Sequence, residues 1–316
     1  MRAVFMGTPE IAATVLKSVL ASRHEVIAVV TQTDKPKGRG HEVAFPPVKE
    51  VALEAGIPVF QPQRARDEAF IEELRALNPD IILVAAYGKL LPKAILDMPR
   101  FGCINVHASL LPKYRGASPI QWAVLNGDEK SGVTIMHMAE TMDTGDIIMT
   151  EEVVLAKDET AGTLHDKLAD IGGPLLITAM DALETGRAPR IRQNEEEATH
   201  VTMLDKTMGN MDFSKSALQL ERWIRGLNPW PTAYTKLDGK MLKLWKADVI
   251  SAEELTKEEK AGMPGTVFAV GKDSFDVLTG EGALRIKELQ LEGKRKMTAE
   301  EFLRGFKLEA GTVLGR

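Results

Sequence analysis

The sequence predicts an α/β domain, with a mostly parallel sheet and helices on both of its faces, followed by a smaller β-rich domain. Three features predict it. Up to about residue 186, short apolar, β-prone runs alternate with amphipathic helical patterns. A polar stretch at 187–200 then carries Glu195-Glu196-Glu197 and no core-forming pattern, and reads as a linker. Beyond it, one amphipathic helix is succeeded by short strands with a hairpin signal. The expected organisation is a first domain at 1–186, a linker at 187–206 and a second domain at 207–316.

Residues 3–6 open the chain as a strand, and Gly7-Thr8-Pro9 turns it into a helix. A dinucleotide-binding turn needs three glycines where this one has a single glycine, so an ordinary strand-to-helix turn is the better reading. Further strands fall at 26–31, 58–60, 81–86 and 103–106, with helical patterns at 47–55 and 67–77 between them. Strands at 133–138 and 147–154 flank the turn Asp143-Thr144-Gly145-Asp146. Thr163 and Asp166 begin a helix that Gly172-Gly173-Pro174 is expected to interrupt before a second one at 175–183. Leu218, Leu220, Trp223, Ile224 and Leu227 keep helical spacing up to Asn228-Pro229-Trp230-Pro231. Asp238-Gly239 then marks a hairpin, and runs at 266–270, 275–278 and 283–291 continue a small barrel or sandwich. Thr298 and Glu301 form a capping-box pattern before a last short helix, and Trp223, Trp230 and Trp245 read as packing residues.

With 316 residues, 44% of them hydrophobic, the chain has material for two cores, and no apolar run is long enough to span a bilayer. The start reads as a first strand rather than a signal peptide. Cys103 is the only cysteine, which excludes an internal disulfide and a Cys-rich zinc site and suits a reducing cytoplasm. The histidines, at 24, 41, 107, 137, 165 and 200, form no short ligand pair, so no metal is expected. The net charge of −5 divides into −7 for 1–200 and +2 for 201–316, too little to announce a polyanion partner; any nucleic-acid contact must come from local basic clusters.

Chemistry concentrates at Asn105 and His107. Positions two apart on a strand share a face, so one side chain that donates a hydrogen bond and one that carries a proton point the same way where a buried strand runs into a loop. A polar pair tying down that loop is the competing reading. Asp143, on a glycine-containing turn that can return to the same edge, favours catalysis, although an Asx-turn would use the same residue. Asn, His and Asp in convergent loops suit acyl transfer; the sequence has neither a P-loop nor a triple-glycine turn for phosphoryl or hydride transfer.

The run Asn105-Val106-His107-Ala108-Ser109-Leu110-Leu111-Pro112-Lys113-Tyr114-Arg115-Gly116 resembles the signature of the folate-dependent formyltransferases, in which a catalytic Asp follows at the position of Asp143. Gly7-Thr8-Pro9, Lys35-Pro36-Lys37-Gly38-Arg39-Gly40, Ala86-Tyr87-Gly88 and Asn228-Pro229-Trp230-Pro231 recur in that order in the members that act on charged initiator tRNA. The resemblance spans nearly the whole chain. It implies a Rossmann-like first domain, an OB-like barrel after it, 10-formyltetrahydrofolate as formyl donor, and the α-amino group of initiator methionyl-tRNA as acceptor. It also implies that Asn105 and protonated His107 stabilise an oxyanion, with Asp143 supporting the charged imidazole and helping to move protons. The folate pocket would be lined by Tyr87, Gly88, Leu90, Ser109, Leu110, Leu111 and Pro112, and the tRNA held by Lys35, Lys37 and Arg39 with Lys240 and Lys243 of the second domain. Such an enzyme is expected to work as a cytoplasmic monomer without a membrane segment. The same trio serves formyltransferases that act on a small amine, such as glycinamide ribonucleotide or an amino sugar nucleotide, but the basic 35–40 loop and the appended barrel argue against that. A nonenzymatic RNA-binding protein and a dehydrogenase are the remaining alternatives.

Overall fold

The computed structural model describes residues 1–37 and 42–315. Its contacts divide the chain into two compact units: Met1–Pro119, Lys130–Val154 and Leu164–Val201 form the first, and Ile120–Glu129, Leu155–Thr163 and Thr202–Arg316 the second.

In chain order the first unit runs β1 (Arg2–Gly7), α1 (Glu10–Leu20), β2 (Glu25–Val30), β3 (Lys35–Lys37), β4 (Glu42–Ala44), α2 (Pro47–Glu54), β5 (Val59–Phe60), α3 (Glu68–Leu77), β6 (Ile81–Ala85), α4 (Lys93–Leu96), β7 (Cys103–His107) and β8 (Arg115–Gly116). After α5 (Pro119–Asn126), which lies almost wholly in the second unit, come β9 (Lys130–His137), β10 (Ile147–Val154), α6 (Ala161–Glu184) and β11 (His200–Val201). The main sheet has the order β10-β9-β7-β6-β1-β2-β5. From β7 to β5 all neighbours are parallel, while β9 pairs antiparallel with both β7 and β10. This is the predicted α/β fold. The strand order reverses between β1 and β6, the place where doubly wound sheets open a crevice at their carboxyl ends.

Helices cover both faces. Phe70, Ile71 and Leu74 of α3 and Ile95 of α4 pack with Val4, Met6, Ile82, Val84 and Cys103 of the strands. On the other face lie α1 and α6, and their closeness explains a departure from expectation. Gly172-Gly173-Pro174 does not interrupt the helix; α6 runs unbroken across it for 24 residues. A Cβ at Gly173 would fall 2.3 Å from Ser18 Oγ, and one at Gly172 would press on Val106 of β7 and Val15 of α1. The glycines are there for close approach, which overrides their poor helix propensity.

The second unit is built on α7 (Ala217–Gly226), β12 (Ala233–Leu237), β13 (Lys240–Ile250), α8 (Lys257–Lys260), β14 (Val267–Val270), β15 (Phe275–Leu278), β16 (Ala283–Leu291), β17 (Met297–Thr298) and α9 (Ala299–Gly305). Its antiparallel strands follow the order β12-β13-β16-β15-β14, with β17 on β16. Asp238 and Gly239 both take positive φ, 49° and 75°, as a two-residue turn with the strands' twist demands. Leu220 and Ile224 of α7 and Phe302 of α9 close the core over Leu242, Leu244, Phe275 and Ile286. The Thr298 hydroxyl accepts the Glu301 backbone N–H as the capping-box pattern predicts. Trp230 differs from expectation: it is 51% exposed, on the Asn228-Pro229-Trp230-Pro231 segment that follows α7.

Candidate active site

Asn105 and His107 share the face of β7 that also bears Cys103. Cys103 lies under α4, its Sγ 3.5 Å from the Ile95 carbonyl, and burial pushes the thiol up to about 12. Asn105, next to Val84 of β6 and Met136 of β9, is buried, yet its amide has no hydrogen-bond partner among the described residues. A buried carboxamide left open in this way is a donor available to a ligand.

His107 is the last residue of β7 and is also buried. Its Nε2 lies 3.0 Å from the Tyr114 carbonyl, which only accepts, so Nε2 carries the proton of that bond. Nδ1 faces the carboxylate of Asp143, 3.7 Å from Oδ2. That distance is too long for a hydrogen bond and leaves the Nδ1 edge open to another group.

The loop after β7 is pinned by Thr134 of β9, the register partner of His107. The Thr134 hydroxyl donates to the Ser109 carbonyl at 2.6 Å and accepts the Leu111 backbone N–H at 3.1 Å. The Ser109 hydroxyl, itself buried, donates to the Lys113 carbonyl at 2.7 Å. Leu111 packs with Met136 and Ile147, while Leu110 lies over Gly132, where a Cβ would meet it at 2.6 Å.

Asp143 takes a left-handed conformation, φ 55°, and its Oδ2 accepts the Gly116 backbone N–H at 2.8 Å. The turn is gripped from the other side by Gln193, whose Nε2 donates to the carbonyls of Asp143 and Gly145, each at 2.8 Å. Gln193 is in turn bonded to the buried Arg115. These side chains come from the stretch expected to be a linker and from the signature loop. Bonds to Thr134, Gln193 and Arg115 each cross more than twenty positions, and no local signal in the sequence marks them.

Residues 1–180 match the family described as Formyl transferase, and residues 203–307 the family described as Formyl transferase, C-terminal domain. The chain is 56% identical over 317 residues to the methionyl-tRNA formyltransferase of Lachnospira eligens, covering 100% of both chains. It is 48% identical over 315 residues to the enzyme of that name from Clostridioides difficile, again covering 100% of both. The chain belongs to the methionyl-tRNA formyltransferase family. Solved structures resemble it in fold. The N-formyltransferase from Helicobacter canadensis, in complex with folinic acid and dTDP-3-aminofucose, has a TM-score of 0.63 at 16% identity and covers 93% of this chain and 99% of its own. HypX from Aquifex aeolicus, in complex with tetrahydrofolic acid, has a TM-score of 0.63 at 17% identity; 99% of this chain corresponds to 50% of that one.

In this member of the methionyl-tRNA formyltransferase family, the turn after β6 lies beside the reversal point of the sheet. Ala86 and Gly88 take positive φ, and Gln32 Nε2 donates to the Tyr87 carbonyl at 3.0 Å. The Tyr87 ring is only 1% exposed and lies in the core with Leu91 and Ile95, so Tyr87 faces this edge through its backbone. Its hydroxyl has no partner among the described residues, and burial raises its pKa to about 12. Leu90 is 61% exposed. The Leu111-Pro112 peptide is cis. A groove of about 760 Å³ runs along Lys93, Leu96, Arg100, His137, Glu140 and Arg190; none of the residues predicted to hold folate lines it. Burial, followed by the charge of Arg190, lowers the pKa of His137 there.

Of the predicted tRNA-contacting residues, Lys35 is exposed at the start of β3 and Lys37 ends that strand, while Arg39 lies outside the described residues. Lys240 is exposed at the start of β13 and Lys243 is half-buried three residues on. Sequence spacing had shown no ligand pair, but His24, Asp181 and Glu184 come together in space; Arg23 is bonded to both carboxylates. Among the described residues no helix is long and apolar enough to cross a membrane.

Proposed function

We propose that this chain transfers the formyl group of 10-formyltetrahydrofolate to the α-amino group of initiator methionyl-tRNA, giving formylmethionyl-tRNA. The observation that carries the proposal is full-length identity of about half to enzymes of that name. The disposition of Asn105, His107 and Asp143 supports the chemistry. A free α-amino group has a pKa of about 7.7–8.0, so baring its lone pair at neutral pH costs only about 1 kcal/mol. The harder step is the attack itself, which forms the new C–N bond and places negative charge on the formyl oxygen. One well-placed donor to such an oxygen contributes about 2.7–4 kcal/mol. The open amide of Asn105 is one such donor. His107 in its protonated form offers Nδ1–H as the second, since its Nε2–H is engaged by the Tyr114 carbonyl. Asp143, next to Nδ1, accepts the proton released by the attacking amine, and a proton reaches the folate nitrogen as its bond to the formyl carbon breaks.

The Ala86–Gly88 turn and the Ser109–Pro112 loop are suited to the donor: their backbone groups are fixed and match the edge of a flat, polar ring, with apolar side chains around it. Lys35, Lys37 and Arg39 would meet the acceptor end of the tRNA, and Lys240 and Lys243 its backbone. The enzyme would act in the cytoplasm as a monomer. The test is to supply 10-formyltetrahydrofolate with charged initiator tRNA, then with glycinamide ribonucleotide or an amino sugar nucleotide. Formylation of the tRNA is expected. Transfer to the small amine alone would overturn the reading.

A further inference from the structure

We propose that Gln193, its amide oriented by Arg115, is the positioning residue that holds Asp143 in place for the transfer. This rests on the reading of Asp143 as catalytic. Arg115 is 1% exposed, and its guanidinium has only donors. Its Nε and Nη2 donate to Gln193 Oε1 at 3.0 and 2.9 Å, and its Nη1 and Nη2 to the carboxylate of Glu195 at 2.8 Å each. The oxygen of the Gln193 amide must therefore face Arg115, and its NH₂ group is forced to the opposite side. There its two hydrogens meet the carbonyls of Asp143 and Gly145. All four hydrogen-bonding positions of the amide are used, so the reversed orientation would set donor against donor and carbonyl against carbonyl.

The turn it holds has little room of its own. Asp143 is left-handed, and a Cβ on Gly145 would overlap the His137 carbonyl at 1.7 Å. Residues 115 and 116 act on it twice: Gly116 donates from its backbone to the Asp143 carboxylate, and Arg115 reaches the Asp143 backbone through Gln193. This pair is itself anchored, because β8 pairs in parallel with β11. The separation between Asp143 Oδ2 and His107 Nδ1 is thus set by Arg115 and Gln193 together with the Gly116 backbone.

The test is a double-mutant cycle on the full chain. Gln193→Met keeps the volume and removes both donors. It is expected to lower kcat about ten- to a hundredfold, with KM for donor and tRNA changed less than about twofold. In an Asp143→Asn background, where residual turnover is read with excess enzyme in a single turnover, the same change should have almost no further effect, because the carboxylate that the turn positions has gone. Gln193→Glu, which also offers no N–H to the two carbonyls, carries the same cycle if the methionine variant does not fold. Unchanged kcat in Gln193→Met, or a loss that recurs undiminished in the Asp143→Asn background, overturns the proposal while leaving Asp143 catalytic. Full turnover in Asp143→Asn alone would instead remove the reading on which the proposal rests.

Discussion

The Asn105 side chain has no hydrogen-bond partner among the described residues, so its replacement by alanine should cost the fold little and the reaction a great deal. Asn105→Ala is expected to lower kcat about 10²–10³-fold with tRNA binding nearly intact; a steady-state comparison with a binding titration checks it. Tyr87 makes the opposite prediction. Its hydroxyl is buried without a partner among the described residues, so Tyr87→Phe should leave stability unchanged or raise it by on the order of 1 kcal/mol in a urea titration. The folded pKa of about 12 lies above the ordinary phenol value of 10.0, so the unfolded chain gives up its proton first as pH rises. Ionisation of Tyr87 in the unfolded chain therefore lowers stability as pH rises from 10 to 12, with no effect below pH 10, and the phenylalanine variant should lack that part of the decline. Asn105 and His107 were legible in the sequence because a strand's period of two is a local property. Gln193 was not: its partners Arg115 and Asp143 stand 78 and 50 positions away, and only the folded loops bring them together.

Among the elements, α6 teaches most. Read by propensity, Gly-Gly-Pro should break a helix; read by packing, the two glycines let α6 lie against α1 and β7. Gly173→Ala should therefore destabilise the protein by about 1–3 kcal/mol in spite of alanine's better helix propensity, and Ser18→Gly in the same chain should restore part of the loss, as chemical denaturation would show. The β12–β13 hairpin and the Thr298 cap were legible because each is decided within four residues. Helix breaking was misread because a single sequence does not say what a helix lies against.

For the whole molecule, the net charge of −5 gives no general attraction to RNA, so tRNA must be held by local cations. KM for tRNA should rise steeply with salt while KM for the folate donor stays nearly level, and a flat salt response for both would remove the lysine assignments. The alternation of strands and helices, and the change to short strands, made the two architectures legible from the sequence. The return of 120–129 and 155–163 to the second compact unit was not, because those segments have the composition of the unit that surrounds them in sequence.

That interleaving governs the order in which a ribosome can complete the molecule. Leu125 of α5 packs with Leu204 and Leu227, and Gly226 sits against it so closely that a Cβ would come within 2.6 Å. Those partners are synthesised about eighty to a hundred residues after Leu125. The nascent amino-terminal half therefore emerges with an unfinished apolar helix in its middle, which stays uncovered until α7 has cleared the exit tunnel. A gene cut at residue 186 would leave the same wound open for good.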